Sequence, residues 1–389
     1  MHIPVTSQTP DSALVGDYLT AAQAMRLLDV SAQTLYAYVS RKGIRTKPLP
    51  GTRQRLYWKA DIEQLCRRKS NSKHGHVHDS AITHVTPDAL YYRGKDVTTL
   101  AESASFESVA ALLWASDEQY VFGDRPPPPL AHWPALRKLL AGESPINIAS
   151  ALFPLLEEAN PKAYDLSRAG MARTGAGILR WLAAITVGAE QPTDEPIHQL
   201  VVRELKLAEP AGEVVRRILI LAADHGHEPS ALAVRALART GVTPWRAIIG
   251  GLSVMIGRNS KSNEFDAIHR LLTDIAASPD PRAVIVQRVR IGDALPGFDA
   301  GVYPNGDPRA NALLGYCRQV FGVDTAWQRL QVALDTVREI KDLQPTFALA
   351  SIFAGERVGL GARASFFHLG RTAGWVAHAI EQYHAGDGR

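Results

Sequence analysis

Residues 219–264 read LILAADHGHEPSALAVRALARTGVTPWRAIIGGLSVMIGRNSKSNE. A polar knot, Asp224-His225-Gly226-His227-Glu228-Pro229-Ser230, lies between two apolar runs. Beyond it Ala231, Val234 and Ala238, then Ile248, Leu252 and Met255, recur at three- and four-residue spacings. That period marks helices with one buried face, and Gly250 and Gly251 leave room for a neighbouring helix to come close. A polar corner between two buried helices is a place where a ligand can be held.

The knot resembles the D-H-E-x-x-x-S-T turn of the citrate synthase family: Asp224, His225 and Ser230 match, and Arg235 falls where the family usually has an arginine. The family's G-P-L-H-G-G turn falls, with no gap, on Gly257-Arg258-Asn259-Ser260-Lys261-Ser262. Its P-G-F-G-H-R-V-Y stretch falls on Pro296-Gly297-Phe298-Asp299-Ala300-Gly301-Val302-Tyr303, and its D-P-R on Asp307-Pro308-Arg309. Gln344-Pro345-Thr346-Phe347 stands where the family has N-V-D-F. Arg371-Thr372-Ala373-Gly374-Trp375 then follows at the interval of the family's R-T-A-G-W. Leu90 to Val97 and the helix opening at Ser105-Phe106-Glu107 resemble its first strand-turn and first helix. The resemblance implies a mainly α fold, with a large helical domain over 81–256 and 345–389 and a small one over 257–344. It also implies a homodimer.

The same register implies damaged catalysis. Citrate synthases take a proton from the methyl group of acetyl-CoA with a carboxylate, while one histidine stabilises the enol oxygen and another assists at the keto acid. The enol-stabilising histidine is Ser260 here, the second histidine Ala300 and the aspartate base Thr346. A threonine hydroxyl is no base near neutrality and alanine carries no proton. General acid–base groups contribute about 10²–10⁴-fold each, so three losses leave little turnover. Asp299, Lys261, Asp266 and His269 are nearby substitutes, each more simply read as a solvated or capping group. By contrast His225, Arg309 and Arg371 keep the types with which the family binds its keto acid. The expectation is a pseudoenzyme that still holds a di- or tricarboxylate such as oxaloacetate or citrate, with no cofactor and no metal. The alternatives are an acyltransferase joining acetyl-CoA or propionyl-CoA to oxaloacetate, as citrate or 2-methylcitrate synthase, and a non-catalytic partner of an intact synthase.

Residues 1–78 carry 12 Lys+Arg against 5 Asp+Glu, whereas the remainder carries 31 against 34. A basic module on a slightly acidic body suggests that the module meets an anion which the body does not. After a start over 1–17 expected to be disordered, Thr20 is the N-cap candidate of one helix and Ser31 of a second, over Ala32 to Ser40. Arg45 to Trp58 reads as a two-stranded wing, and Asp61 begins a third helix. The pattern T-A-x-x-A-x-x-L-x-V-S-x-x-T-L-Y, followed by R-L-Y-W-K-A-D-I, resembles the MerR and excisionase-like winged helix-turn-helix family over 18–69. That resemblance implies DNA binding, with Gln33, Thr34, Tyr36 and Ala37 toward base edges and Arg41, Lys42, Arg53 and Arg55 toward phosphates. A protein-interaction module is the competing reading.

Residues 70–80, SNSKHGHVHDS, read as a polar linker, whose alternating histidines lack the further ligand a metal site needs. Two cysteines, Cys66 and Cys317, form no disulfide framework, which suits a reducing compartment. No apolar run is long enough to span a membrane, and the start lacks the features of a secretory signal, so the expectation is a cytoplasmic protein.

Overall fold

The structure, a computed structural model, describes residues 18–28, 30–31, 34–35, 39, 44–49, 55–59, 61–62, 80–226, 228–257, 261–299, 301–360 and 365–385. The chain forms two compact units, Met1–Val77 and His78–Arg389.

In the first unit, helix α1 (Ala21–Leu28) opens with a reciprocal cap. The Gln23 N–H donates to Thr20 Oγ1 at 3.3 Å, and the Thr20 N–H donates to Gln23 Oε1 at 2.9 Å. Both end donors are thereby satisfied. Ser31 Oγ accepts from the Thr34 N–H at 3.3 Å, as a cap does. Strands β1 (Tyr18–Leu19), β2 (Thr46–Pro48) and β3 (Arg55–Trp58) form an antiparallel sheet in the order β1-β3-β2. The sequence suggests two strands here and takes Tyr18-Leu19 as the lead into the helix that Thr20 caps. Instead Tyr18 pairs with Trp58, their rings edge-on at 4.8 Å. A strand of two residues is too short for alternation to reveal it. Ala24, Leu28, Leu35, Ile44, Tyr57 and Ile62 form the core of this unit.

The second unit opens with the antiparallel strands β4 (Thr83–Val85), β5 (Leu90–Tyr92) and β6 (Lys95–Asp96), and is otherwise mainly helical, as expected. Helices α2 (Val97–Ser103), α3 (Phe106–Leu113), α4 (Glu118–Phe122), α5 (Trp133–Leu139), α6 (Pro145–Glu158) and α7 (Arg168–Val187) follow. Next come α8 (Ile197–Leu205), α9 (Ala211–Ala222), α10 (Pro229–Ala238) and α11 (Pro244–Met255), with the polar knot at the junction of α9 and α10. After α12 (Lys261–Ala277) and α13 (Pro281–Ile291), a short ladder joins β7 (Phe298–Asp299) to β8 (Gln344–Pro345) around α14 (Pro308–Phe321) and α15 (Thr325–Lys341). Helices α16 (Phe347–Arg357) and α17 (Ser365–Tyr383) complete it.

Helix α17 is the central element. It packs against α7, α9, α10 and α11, and every residue from Phe366 to Ile380 is buried. Two glycines let it lie directly on the end of α9. A Cβ at Gly370 would come within 2.7 Å of Leu219 O, and one at Gly374 within 2.4 Å of Ala223 O. The Gly374 N–H donates to that same Ala223 oxygen at 3.0 Å. Gly251 on α11 sits equally close to Trp375 and Val234, at 3.0 Å. Small residues at these crossings set the helix spacing, and so bring Arg371 and His378 of α17 to the polar knot. Ser80 is not part of a free linker, because its hydroxyl donates to Glu381 Oε1 at 3.2 Å.

Candidate functional site

Asp224 anchors the knot. It is fully buried; Oδ2 accepts from Thr83 Oγ1 at 2.5 Å and from the Gly226 N–H at 3.0 Å, and Oδ1 faces His378 Nε2 at 3.2 Å. Burial alone would raise its pKa. The adjacent His378, the Arg371 charge and the Thr83 hydroxyl reverse this and hold the carboxyl well below the usual range. Arg235 Nη1 reaches His378 Nδ1 at 3.4 Å. A guanidinium can only donate, so Nδ1 accepts and the Nε2–H is left to donate to Asp224. Arg235 also pairs with Glu381, which closes a chain from β4 to the end of α17. The Tyr92 hydroxyl completes the frame by accepting from the Asp224 N–H and donating to Asp224 O, both at 2.9 Å.

His225, next to this anchor, is half-buried and its Nε2 lies 2.9 Å from the Tyr303 hydroxyl. Tyr303 in turn feels the charges of both Arg309 and Arg371, while burial pushes its phenol up to about 12. His225 thus meets Tyr303 directly, and the charges of Arg309 from α14 and Arg371 from α17 act on the same phenol. Neither arginine is without a counter-ion. Asp307 takes Arg309 in a two-pronged pair, Nε to Oδ1 at 3.0 Å and Nη2 to Oδ2 at 2.7 Å. Burial disfavours that charge, but Asp307 outweighs it and raises the guanidinium pKa. Arg371 is 1% exposed, with Nη1 3.2 Å from Glu228 Oε1 and its guanidinium 5.1 Å from the Phe367 ring centre. Its Nε and Nη1 are buried without a hydrogen-bond partner among the described residues. Glu228 is itself positioned by Ser230, whose hydroxyl donates at 2.8 Å and accepts from Trp375 Nε1 at 3.0 Å.

A model of the citrate synthase C-terminal domain matches residues 73–389. The chain belongs to the citrate synthase family. Its body is 24% identical over 333 residues to citrate synthase 2 of Bacillus subtilis, covering 78% of this chain and 89% of the relative. It is 26% identical over 352 residues to citrate synthase of Haloferax volcanii, covering 79% and 90%. In three dimensions it is similar to citrate synthase of Thermoplasma acidophilum, solved as a ternary complex with carboxymethyl coenzyme A and oxaloacetate. The TM-score is 0.62 at 18% identity, covering 82% of this chain and 93% of that one.

Of the positions that correspond to the family's catalytic residues, Ser260 and Ala300 lie outside the described residues. Thr346 is described, and its side chain has a local structural role. It is the N-cap of α16, with Oγ1 accepting from the Leu349 N–H at 3.4 Å, and its own N–H donates to Gly297 O at 2.9 Å. Asp299 is exposed and accepts from the Gly301 N–H at 3.0 Å, Asp266 is exposed, and His269 pairs with Glu356 at 2.6 Å. The side chain of Lys261 lies outside the described residues.

In the first unit, Gln33, Tyr36, Ala37, Arg41, Lys42 and Arg53 lie outside the described residues. Thr34 is described, and its Oγ1 is 3.0 Å from Ser31 Oγ, so the hydroxyl serves the cap. Arg55 is exposed on β3. Sequence reasoning quoted Tyr303, Asp307 and Glu228 but gave them no role. Only the chain's return through Asp307-Pro308-Arg309 could have signalled that Asp307 pairs with its own motif's arginine. Among the described residues no cluster of metal-ligating side chains occurs, and no helix is long and apolar enough to cross a membrane.

Proposed function

We propose that the body binds a small di- or tricarboxylate such as oxaloacetate or citrate at Tyr303, without condensing it with an acyl-CoA at ordinary enzyme rates. The observation that carries this reading is Arg371: a buried guanidinium with two donors left without hydrogen-bond partners. A buried donor without a partner costs about 1–3 kcal/mol. Nε and Nη1 open on different sides of the guanidinium, so two separate acceptor groups of a di- or tricarboxylate would recover that cost, which the Glu228 contact at 3.2 Å does not. The Arg309 charge acts on the same tyrosine and adds to the pull on a carboxylate. The base position argues against turnover, since Thr346 caps a helix.

The basic first unit is proposed to bind DNA, and the body to pair as a homodimer that presents two such units to a two-fold site. Supporting this are the charge balance, the three-stranded sheet, and Lys47 and Arg55 on its strands. Carboxylate binding would then regulate DNA binding, which requires different affinities in the two states.

A second reading, an active citrate or 2-methylcitrate synthase, is favoured by one fact: the relatives named as synthases match along most of the body. One experiment separates the two. Purified full-length protein is given acetyl-CoA or propionyl-CoA with oxaloacetate, and free CoA is measured alongside a melting assay. Stabilisation by oxaloacetate or citrate without CoA release, lost in Arg371→Gln, supports the proposal. CoA release at ordinary rates sinks it. For the first unit, DNA binding should fall steeply with salt and weaken in Arg55→Ala. Salt-independent binding would count against it.

A further inference from the structure

A cavity of about 290 Å³ lies between α7 and the loop that follows α4, and shares no residue with the cluster around Tyr303. One wall is the run Pro126-Pro127-Pro128, and the opposite one is the first half of α7. The loop is held down firmly. Arg180 donates from Nη1 to Asp124 O and from Nη2 to Phe122 O, both at 2.7 Å, and Trp181 Nε1 donates to Pro127 O at 3.1 Å. A Cβ on Gly177 would come within 3.2 Å of Pro127. The space therefore comes from small helix residues under a pinned loop.

Its lining is cationic. Arg125, Lys162, Arg173 and Arg180 face the cavity against one carboxylate, Asp124. Lys162 touches Asp124 at 3.3 Å, and Arg173 is held by Asp165 at 3.1 Å. Arg125 has no partner among the described residues, and Arg180 meets only carbonyl oxygens by hydrogen bond. Asp124 and Asp165 meet Lys162 and Arg173, and Arg180 also feels Asp194 and Glu107. The second observation is Thr174. It is 5% exposed, lines the cavity, and its hydroxyl makes no hydrogen bond among the described residues, not even to the preceding turn of its own helix. Asn160 uses Oδ1 to cap the turn at Pro161–Tyr164, which leaves its amide N–H₂ to donate.

We infer that this cavity binds a small organic phosphate dianion. A lining of four cations, with Arg125 unpaired among the described residues, favours an anion, and a phosphate monoester carries about −1.5 to −2 at neutral pH. Its three terminal oxygens can take donors arriving from separate directions, whereas a carboxylate offers two in one plane. The proline wall suits the organic part of such a ligand.

The test is calorimetric titration of the full-length protein with phenyl phosphate, with inorganic phosphate and succinate as comparators. Phenyl phosphate is expected to bind with a Kd below about 1 mM and more tightly than either comparator. Thr174→Val and Arg125→Gln, with unchanged melting temperatures, should each weaken it about tenfold, as loss of a charge-assisted hydrogen bond does. No binding up to about 10 mM would overturn the inference, as would wild-type affinity in either variant. Succinate binding as tightly as phenyl phosphate would overturn the assignment to phosphate.

Discussion

His368 makes the stability of the body depend on pH in a way that can be measured. It lies on α17 three residues before Arg371, is 2% exposed, and burial pushes its imidazole down to about 4; Glu228 opposes this and Arg371 adds to it. An unfolded histidine titrates near 6.5. Between those values the unfolded chain binds the proton and the folded chain does not, so stability falls as pH falls through this window. The full effect is on the order of 3 kcal/mol, of which about 2.5 is reached by pH 4.5. Urea unfolding at pH 7, 6, 5 and 4.5 would measure it, followed by tryptophan fluorescence. Six of the seven tryptophans lie in the body, with Trp58 in the first unit. The comparison is with His368→Gln, which cannot titrate. Expected is a wild-type stability that declines toward pH 4.5 by about 2 kcal/mol more than that of the variant. Parallel pH profiles would refute the assignment of a neutral, buried His368.

Asp224→Ala leaves Thr83, Gly226 and His378 facing a buried gap, and should cost about 3–5 kcal/mol in the same unfolding assay; a loss under about 1 kcal/mol would contradict the anchor role. Thr346→Ala removes the N-cap of α16 and should cost about 1 kcal/mol, whereas Thr346→Asp should keep the cap and stay within about 0.5 kcal/mol of wild type. If Thr346→Asp is as damaging as Thr346→Ala, the capping account fails. Tyr303→Phe removes the hydroxyl that meets His225 Nε2 and should cost about 0.5–1.5 kcal/mol, read from the urea midpoint. A fully neutral result would mean that the 2.9 Å contact is not a stabilising bond.

The fold was legible because its signals are long. The apolar period through α10 and α11, and the matches from Leu90 to His378, locate the helices and their order. Tyr18–Leu19 was not legible as a strand, since two residues carry no period. At the site, sequence supplied His225, Arg309 and Arg371; in the structure the first meets Tyr303 and the charges of the other two act on it. What it could not supply is how their charges are met. That Arg309 is paired with Asp307, two residues away in a helix N-cap, depends on local backbone geometry. That Arg371 is paired with Glu228 depends on α17 crossing the start of α10, which the glycines at 370 and 374 permit. The cavity under the proline run has no sequence signature at all, because it arises from Gly170, Ala176 and Gly177 facing a loop some forty residues earlier in the chain.

The presence of His225, Arg309 and Arg371 does not by itself argue for a ligand, because each of them also serves the fold. Arg309 holds Asp307 at the start of α14, Arg371 faces Glu228, and His225 meets Tyr303. A stability role alone would favour satisfying every donor, since an unsatisfied one costs about as much as several good contacts gain. Arg371 departs from that rule, with two buried donors left over, whereas Arg309 and His225 do not. A buried Arg–Glu pair kept only for packing could be replaced as a pair by neutral residues of similar volume at little cost, whereas removing the arginine alone would strand the Glu228 carboxylate. The donors left over among the described residues are therefore the part of the site that stability does not explain, and the charge of Arg371 acts on Tyr303 together with that of Arg309. Arg371→Met combined with Glu228→Gln separates the two accounts. If packing is its only role, the variant keeps the melting temperature and also any response to oxaloacetate; if the donors are there for a carboxylate, stability is held or improved while the response to oxaloacetate disappears.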